Sequence, residues 1–289
     1  MNLSHPFRSV TLSPRTLRCG RFRLDLGRPQ LMGILNVTPD SFSDGGRHLA
    51  PGAALAHARR LLEEGAAIID VGGESTRPGA QPVALQEELE RVVPVVEALA
   101  AEGLLVSVDT RHTEVMRAAL RAGASMVNDI EALRAPGALE VCAASDAAVC
   151  LMHMQGDPQT MQDDPRYQDV GTEVAGFLAA RAEAARAAGI VAERICLDPG
   201  FGFGKTVAHN LSLLRALPQL AALGYPVLAG LSRKSVLGAV TGKGTDDRVH
   251  ASVAAALLAV QHGARILRVH DVAATRNALA VWNAVMEAA

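Results

Sequence analysis

The chain has 289 residues, 49% of them hydrophobic and 20% charged, with a formal net charge of -2. That is enough for one large domain with a sizeable core, and aromatics at 3% leave Ala, Val, Leu and Ile to build it. A charge so near neutrality gives no global field for nucleic acid or an anionic membrane, so an anionic substrate must meet locally placed cations.

Cys19, Cys142, Cys150 and Cys196 form no CxxC pair, which predicts free thiols in a reducing cytoplasm. No apolar run reaches transmembrane length. Met1 to Leu17 carries Arg8 and Arg15 but lacks an apolar signal core. Residues 1–21 are therefore expected to be a flexible extension, and 22–289 a single domain.

Phe22–Leu26 alternates apolar and charged residues and predicts a small hairpin, with Gly27–Pro29 turning into the first main strand. A regular alternation follows. Apolar runs lie at Leu31–Leu35, Ala67–Val71, Leu104–Val108, Ser125–Val127, Ala147–Met152, Arg194–Leu197, Pro226–Ala229 and Arg265–Val269. Helical patterns separate them, at Ala53–Glu64, Gln86–Ala101, Thr113–Ala122, Gly137–Ala144, Val170–Ala188, His209–Ala222, Asp246–Gln261 and Val272–Glu287. Gly65, Gly103, Gly123, Gly189, Gly224 and Gly263 close many helices before the next run, where glycine takes the left-handed cap without a side-chain clash. Continuous apolar strands are buried on both faces, as in parallel sheets. About eight such units in about 250 residues predict a (β/α)8 TIM barrel with a short N-terminal hairpin. A doubly wound open sheet is the alternative, weakened by the lack of GxGxxG after the first strand.

A barrel places its site at the C-terminal ends of its strands. Polar residues gather there: Asn36, Gly72–Arg77, Asp109, Asn128-Asp129, His153, Asp198, Ser232–Lys234 and Arg268–Asp271. Asp129, Asp246 and Asp271 read as caps. A ring of ionisable and amide groups from nearly every strand is harder to attribute to capping.

These segments also carry a resemblance. MGILNVTPDSFSDGG (Met32–Gly46), DVGGESTRPG (Asp70–Gly79), SVDT (Ser107–Thr110), NDI (Asn128–Ile130), LMHMQG (Leu151–Gly156), DPGFGFGKT (Asp198–Thr206), LSRKS (Leu231–Ser235) and RVHDV (Arg268–Val272) resemble, in order, the motifs of the dihydropteroate synthases. The resemblance covers essentially everything from Phe22 onward. It implies a transferase of folate biosynthesis, joining 6-hydroxymethyl-7,8-dihydropterin diphosphate to p-aminobenzoate. The family is inhibited by sulfonamides and dimerises through barrel helices, so a cytoplasmic homodimer is expected. Nucleic acid and membrane are not expected partners.

The resemblance assigns roles that suit the residue types. Asp198 accepts from the amino group and ring N–H of the pterin, as a carboxylate accepts paired donors. Asn128 offers donor and acceptor, Lys234 donates to the ring carbonyl and nitrogen, and Asp109 faces the pterin from the other side. Asp109, Asp198 and Lys234 are thus the expected catalytic residues. Arg268 and His270, with Thr76 and Arg77, resemble the diphosphate contacts. Asn36 resembles a ligand of Mg2+, a hard cation suited to an amide oxygen; Asp40 is a weaker candidate. Phe42, Pro78, Phe203 and Ser232, the last beside the expected start of a helix, would line the p-aminobenzoate pocket. The loops Val37–Arg47 and Gly73–Pro82 would cover the site.

Other signals are set aside. GFGFGKT (Gly200–Thr206) is one residue short of a nucleotide P-loop, and Gly204 and Lys205 are read as shaping the loop over the pocket. His153, His262 and His270 have no zinc spacing, and His153 is expected to make a structural hydrogen bond. Two other functions share the fold: a pterin-binding barrel that passes a methyl group to a corrinoid, which needs no diphosphate site, and a non-catalytic paralogue.

Overall fold

A computed structural model describes residues 14–37, 51–74 and 83–288. Eight parallel strands close into a barrel: β3 (Gln30–Asn36), β4 (Ile68–Gly72), β5 (Val106–Asp109), β6 (Met126–Asp129), β7 (Ala148–Met152), β8 (Ile195–Asp198), β9 (Val227–Ala229) and β10 (Ala264–Val269), with β10 returning to pair with β3. Each of the eight expected apolar runs contains or overlaps one of these strands. Their side chains alternate as a pleated strand requires. Leu31, Leu35, Ile69, Val71, Val106, Val108, Val127, Val149, Ile195 and Leu197 point outward into a layer shared with the helices. The residues between them point into the barrel, where Met32, Ile68, Leu105, Met126, Ala148, Cys150, Cys196, Leu228 and Ile266 form its lower filling. All four cysteines are free and buried.

The surrounding helices are α1 (Pro51–Glu64), α2 (Leu85–Ala101), α3 (Thr113–Arg121), α4 (Ala138–Ala143), α5 (Val170–Ala187), α6 (Val207–Ala221), α7 (Ser235–Thr241), α8 (Val249–Gln261) and α9 (Val272–Glu287). The six glycines expected at helix ends all have positive φ, between 81° and 110°. One helix, α7, shows in the sequence only as the expected start beside Ser232: it spans seven residues, too few to show a hydrophobic period. The helix expected from Asp246 begins at Val249 instead, because Thr245–Asp247 forms a 3-10 turn. No described helix is long and apolar enough to cross a membrane.

The hairpin lies earlier than expected. β1 (Thr16–Cys19) pairs antiparallel with β2 (Phe22–Asp25) across a Gly20-Arg21 turn. An extension ending at residue 21 would therefore cut a strand pair, and the folded unit begins no later than Thr16. The physical reason is burial. Leu17 and Cys19 from β1, with Leu24 and Leu26, pack on the lower filling of the barrel, and Gly20 N–H donates to Asp146 O at 3.0 Å. The hairpin closes the N-terminal mouth and leaves the C-terminal mouth for the polar residues. Residues 1–13 lie outside the described part.

Candidate active site

Strand alternation sends Asn36, Asp70, Asp109, Asn128, Asp198 and Arg268 inward at the C-terminal ends of β3, β4, β5, β6, β8 and β10. Arg268 ties them together. Its Nε donates to Asp70 Oδ2 and its Nη2 to Asp109 Oδ2, both at 2.6 Å. Asp70 Oδ2 also accepts from Asn128 Nδ2 at 3.2 Å. Gly72 makes room for this convergence: a Cβ there would stand 3.5 Å from Asp109 Cβ and 3.9 Å from Asn36 Oδ1.

Burial dominates the electrostatics. It pushes the Asp109 carboxyl up to about 7, against the pull of Arg268 and with added repulsion from Asp70, Glu88 and Asp129. Burial also works against the charge on Arg268, but Asp70 and Asp109 hold the guanidinium protonated even more firmly than usual. Asp198 is raised by burial, opposed by Lys234 and by the Gly200 N–H that donates to its Oδ1 at 2.7 Å. Lys234 is brought down to about 8 by burial, opposed by Asp198 and reinforced by Arg268. Its ammonium group donates to Phe201 O and stands 4.6 Å above the Phe203 ring, a cation–π contact.

Ser232 and His270 form a second group on the same rim. Ser232 Oγ accepts from the His270 backbone N–H at 3.2 Å and lies 3.1 Å from its Nδ1. Ser232 lies three residues before α7, which opens at Ser235 with Lys234 at the N-cap. The expected caps also divide. Asp129 accepts from the Glu131 and Leu133 N–H groups at 2.8 and 2.7 Å. Asp271 stands at the N-cap of α9 but makes no side-chain cap bond. Its carboxylate instead pairs with Arg233 at 2.5 and 3.0 Å, where Arg233 sits at a φ of 58°.

The structure thus joins Asp109, Asn128, Asp198, Lys234 and Arg268, with Phe203 beneath Lys234, Asn36 beside Gly72, and Ser232 with His270 alongside. Thr76, Arg77, Phe42, Pro78 and Asp40 lie outside the described residues. Asp70 was not singled out from the sequence. Its signal was present: it stands two residues before the end of β4, on the inward phase, inside an otherwise apolar strand. His153 makes the expected structural bond, accepting at Nδ1 from Lys205 at 3.0 Å. Burial, then Lys205, lowers its ring to about 3, so the ring is neutral.

Among the described residues, two places offer metal-ligand atoms. Asn36 presents an amide oxygen, a hard donor that fits Mg2+ when phosphate and water supply the other ligands. Glu74, Glu88 and His112 bring three ligand atoms within 4.8 Å of one another. These are already engaged: Arg111 binds Glu74 at 3.2 and 3.4 Å, and His112 Nδ1 lies 2.6 Å from Glu88. Glu74 also accepts from Val83 N–H at 3.3 Å, joining the two ends of the segment between them.

The sequence profile of the pterin binding enzymes matches residues 32–270. The dihydropteroate synthase of Haemophilus influenzae is 54% identical over 266 residues, covering 92% of this chain and 97% of that protein. Among solved structures, Xanthomonas albilineans dihydropteroate synthase with 4-aminobenzoic acid superposes with a TM-score of 0.89 at 56% identity, covering 95% of this chain and 99% of the other. Burkholderia cenocepacia dihydropteroate synthase complexed with 7,8-dihydropteroate gives a TM-score of 0.88 at 55% identity, covering 95% and 98%. Polar strand ends on a closed barrel, the family profile and relatives matched over nearly their whole length lead to one assignment: the chain belongs to the pterin binding enzyme family, among the dihydropteroate synthases.

Proposed function

We propose that the chain condenses 6-hydroxymethyl-7,8-dihydropterin diphosphate with p-aminobenzoate, yielding 7,8-dihydropteroate and diphosphate. The observation that carries this reading is the Arg268 bridge. It sets one cation between two inward carboxylates, beside a buried amide, a third carboxylate and a lysine. A flat heterocycle with donors on one edge and a carbonyl on another matches that set. Asp198 accepts from the amino group and ring N–H, Asn128 completes the edge, and Lys234 donates to the carbonyl side. Asp109 faces the ring from across the hollow.

The reaction is a dissociative substitution. The bond between the exocyclic methylene carbon and the diphosphate oxygen breaks, and its electron pair leaves with diphosphate. The positive charge spreads into the dihydropterin ring, where Asp109 and Asp198 offset it. The neutral arylamine nitrogen then forms the new C–N bond and gives its proton to released diphosphate or water, so no strong general base is needed. Arg268, His270, Thr76 and Arg77 hold the leaving group. Asn36 would hold Mg2+, which when bound neutralises charge on the diphosphate. Phe42, Pro78 and Phe203 flank p-aminobenzoate, and Ser232 supports that side through His270.

We further propose a cytoplasmic homodimer. α8 and α9 are neighbours and expose Leu258, Val281, Val285 and Met286, apolar side chains of the kind a second copy would cover. Sedimentation would report the dimer. The activity is tested by diphosphate release with both substrates and Mg2+. Release that requires p-aminobenzoate supports the synthase; pterin binding without release would replace it with a binding protein.

A further inference from the structure

The loop Gly200–Lys205 leaves β8 in a conformation that gives most of its carbonyls no backbone partner. Gly200, Gly202 and Gly204 all have positive φ, at 67°, 82° and 61°. Gly200 and Gly204 also press against neighbouring backbone, where a Cβ would run into His153 O and Gln155 O respectively. Backbone carbonyls buried in such a turn must find donors. Side chains serve each of them, and Gly200 O also accepts from the Phe203 backbone N–H at 3.1 Å. Phe201 O takes Lys234 and Gly202 O takes Gln162. Gly204 O accepts from Tyr167 Oη at 2.8 Å, and Lys205 O from Asn210 Nδ2 at 3.2 Å. The remaining two, Gly200 O and Phe203 O, both accept from Lys205 Nζ at 2.9 Å. Lys205 itself is buried, and its Nζ also reaches His153 Nδ1 at 3.0 Å and His153 O at 3.4 Å.

This loop touches two of the groups assigned to the pterin. At its start, Gly200 N–H donates to Asp198 Oδ1. In its middle, Phe201 O and the Phe203 ring hold the Lys234 ammonium group, and a Cβ at Gly202 would lie 3.2 Å from Lys234 Cδ. We propose that Lys205 is a positioning residue for the pterin site, gathering the Gly200 and Phe203 carbonyls and the His153 ring so that one loop fixes both Asp198 and Lys234. The proposal rests on the pterin reading of the site. Lys205 takes no part in the chemistry; it acts through one peptide on Asp198 and through Phe203 on Lys234.

A lysine suits this task because its ammonium group offers three donors in different directions. Gly200 contributes both ends of the coupling, its N–H on Asp198 and its C=O on Lys205. The position is costly for a cation: burial, with Lys234 nearby, brings Lys205 down to about 7. The neutral ring of His153 accepts one of its bonds and adds no positive charge. A methionine at 205 would fill similar volume, leave the Phe203 carbonyl without a donor and the Gly200 carbonyl with only the Phe203 N–H, so the loop would relax and carry both pterin contacts with it.

The test compares wild type and Lys205→Met by calorimetry with two ligands measured separately: 6-hydroxymethylpterin, and diphosphate with Mg2+. The proposal predicts at least a tenfold rise in the pterin Kd and less than a threefold change for diphosphate, whose contacts come from other elements. In turnover, the KM for the pterin substrate should rise more than kcat falls. Tyr167→Phe, which removes a donor from Gly204 O at the far end of the loop, should change pterin affinity less than threefold. Equal losses for both ligands would mean general destabilisation and overturn the proposal, as would unchanged pterin binding. If Lys205→Met fails to fold, Lys205→Gln, which keeps an amide donor, is compared in the same way. Wild type that binds no pterin would overturn the reading of the site itself, a result distinct from wild type and variant binding alike.

Discussion

Replacing Asp70 tests the centre of the site. The residue is fully buried, and its Oδ2 receives both Arg268 Nε and Asn128 Nδ2. Asp70→Ala leaves both donors unpaired on that side. Breaking a buried pair by removing one partner costs about 3–5 kcal/mol. Arg268 keeps Asp109 and its side chain is 20% exposed, so the loss belongs at the lower end, about 3 kcal/mol. Asp70→Asn keeps an acceptor and loses the charge. Charge-assisted bonds exceed neutral ones by roughly 1–1.5 kcal/mol, and relief of repulsion with Asp109 offsets part of that, giving about 1 kcal/mol. A domain with about 5–15 kcal/mol of stability stays folded in both cases. Urea denaturation at pH 7 measures the two steps, and pterin calorimetry reports whether the Asn128 amide keeps its orientation. An Asp70→Ala protein within about 0.5 kcal/mol of wild type, with unchanged pterin affinity, would refute the view that this carboxylate organises the site.

Asp198→Asn removes a charged acceptor from the pterin edge and should cost about 1.5–3 kcal/mol, roughly ten- to a hundredfold in pterin Kd by calorimetry. Asp109 gives a pH signature. Its folded pKa of about 7 lies above the ordinary 3.8, so its contribution to stability is fully present below 3.8 and is lost as pH rises through 7. Urea unfolding from pH 4 to 8 should therefore show wild type losing stability relative to Asp109→Asn up to about pH 7 and then running parallel; an opposite trend would reverse the assignment of burial as the main cause. Gly200→Ala should cost about 3 kcal/mol or more, since the new methyl would overlap His153 O as well as strain the backbone. Gly224→Ala, at a φ of 83° with nothing within 4 Å of its Cβ, should cost only the left-handed strain, about 1–2 kcal/mol; equal thermal shifts for the two would show that the contact is absent.

The barrel was legible because burial on both faces leaves an unbroken apolar run, and because a parallel strand must be followed by a crossover. Runs such as Leu31–Leu35 and Ala147–Met152 therefore marked strands wherever they occurred, and the polar residue ending each run marked the functional rim. What stayed hidden has a common cause, which is that side-chain partners are chosen in space. Thr16–Cys19 carries Arg18 between Leu17 and Cys19 and looks like the tail before it, until Leu24 and Leu26 across the hairpin show which face is buried. Asp70 reads as one polar residue in a strand; only the register with β5 and the reach of Arg268 from β10 reveal its task. Asp271 occupies a cap position, but Arg233, 38 positions earlier, captures its carboxylate. Ser235–Thr241 is too short to show a hydrophobic period, so only its start beside Ser232 is legible.

Among the described residues of the rim, three inward carboxyls, Asp70, Asp109 and Asp198, meet two cations, Arg268 and Lys234. Two of the carboxyls are raised and the lysine lowered, so folding has left these groups short of the partners that would suit their charged forms. In the reaction proposed above, a heterocycle whose N–H edge meets Asp198 and whose carbonyl meets Lys234 would supply those partners, and a ring becoming cationic as diphosphate departs would meet the facing carboxylates at that moment. Because the dipoles and charges are fixed beforehand by strand register and by the Arg268 bridge, they need not reorganise as the charge develops, and the stabilisation falls on the transition state more than on the bound substrate.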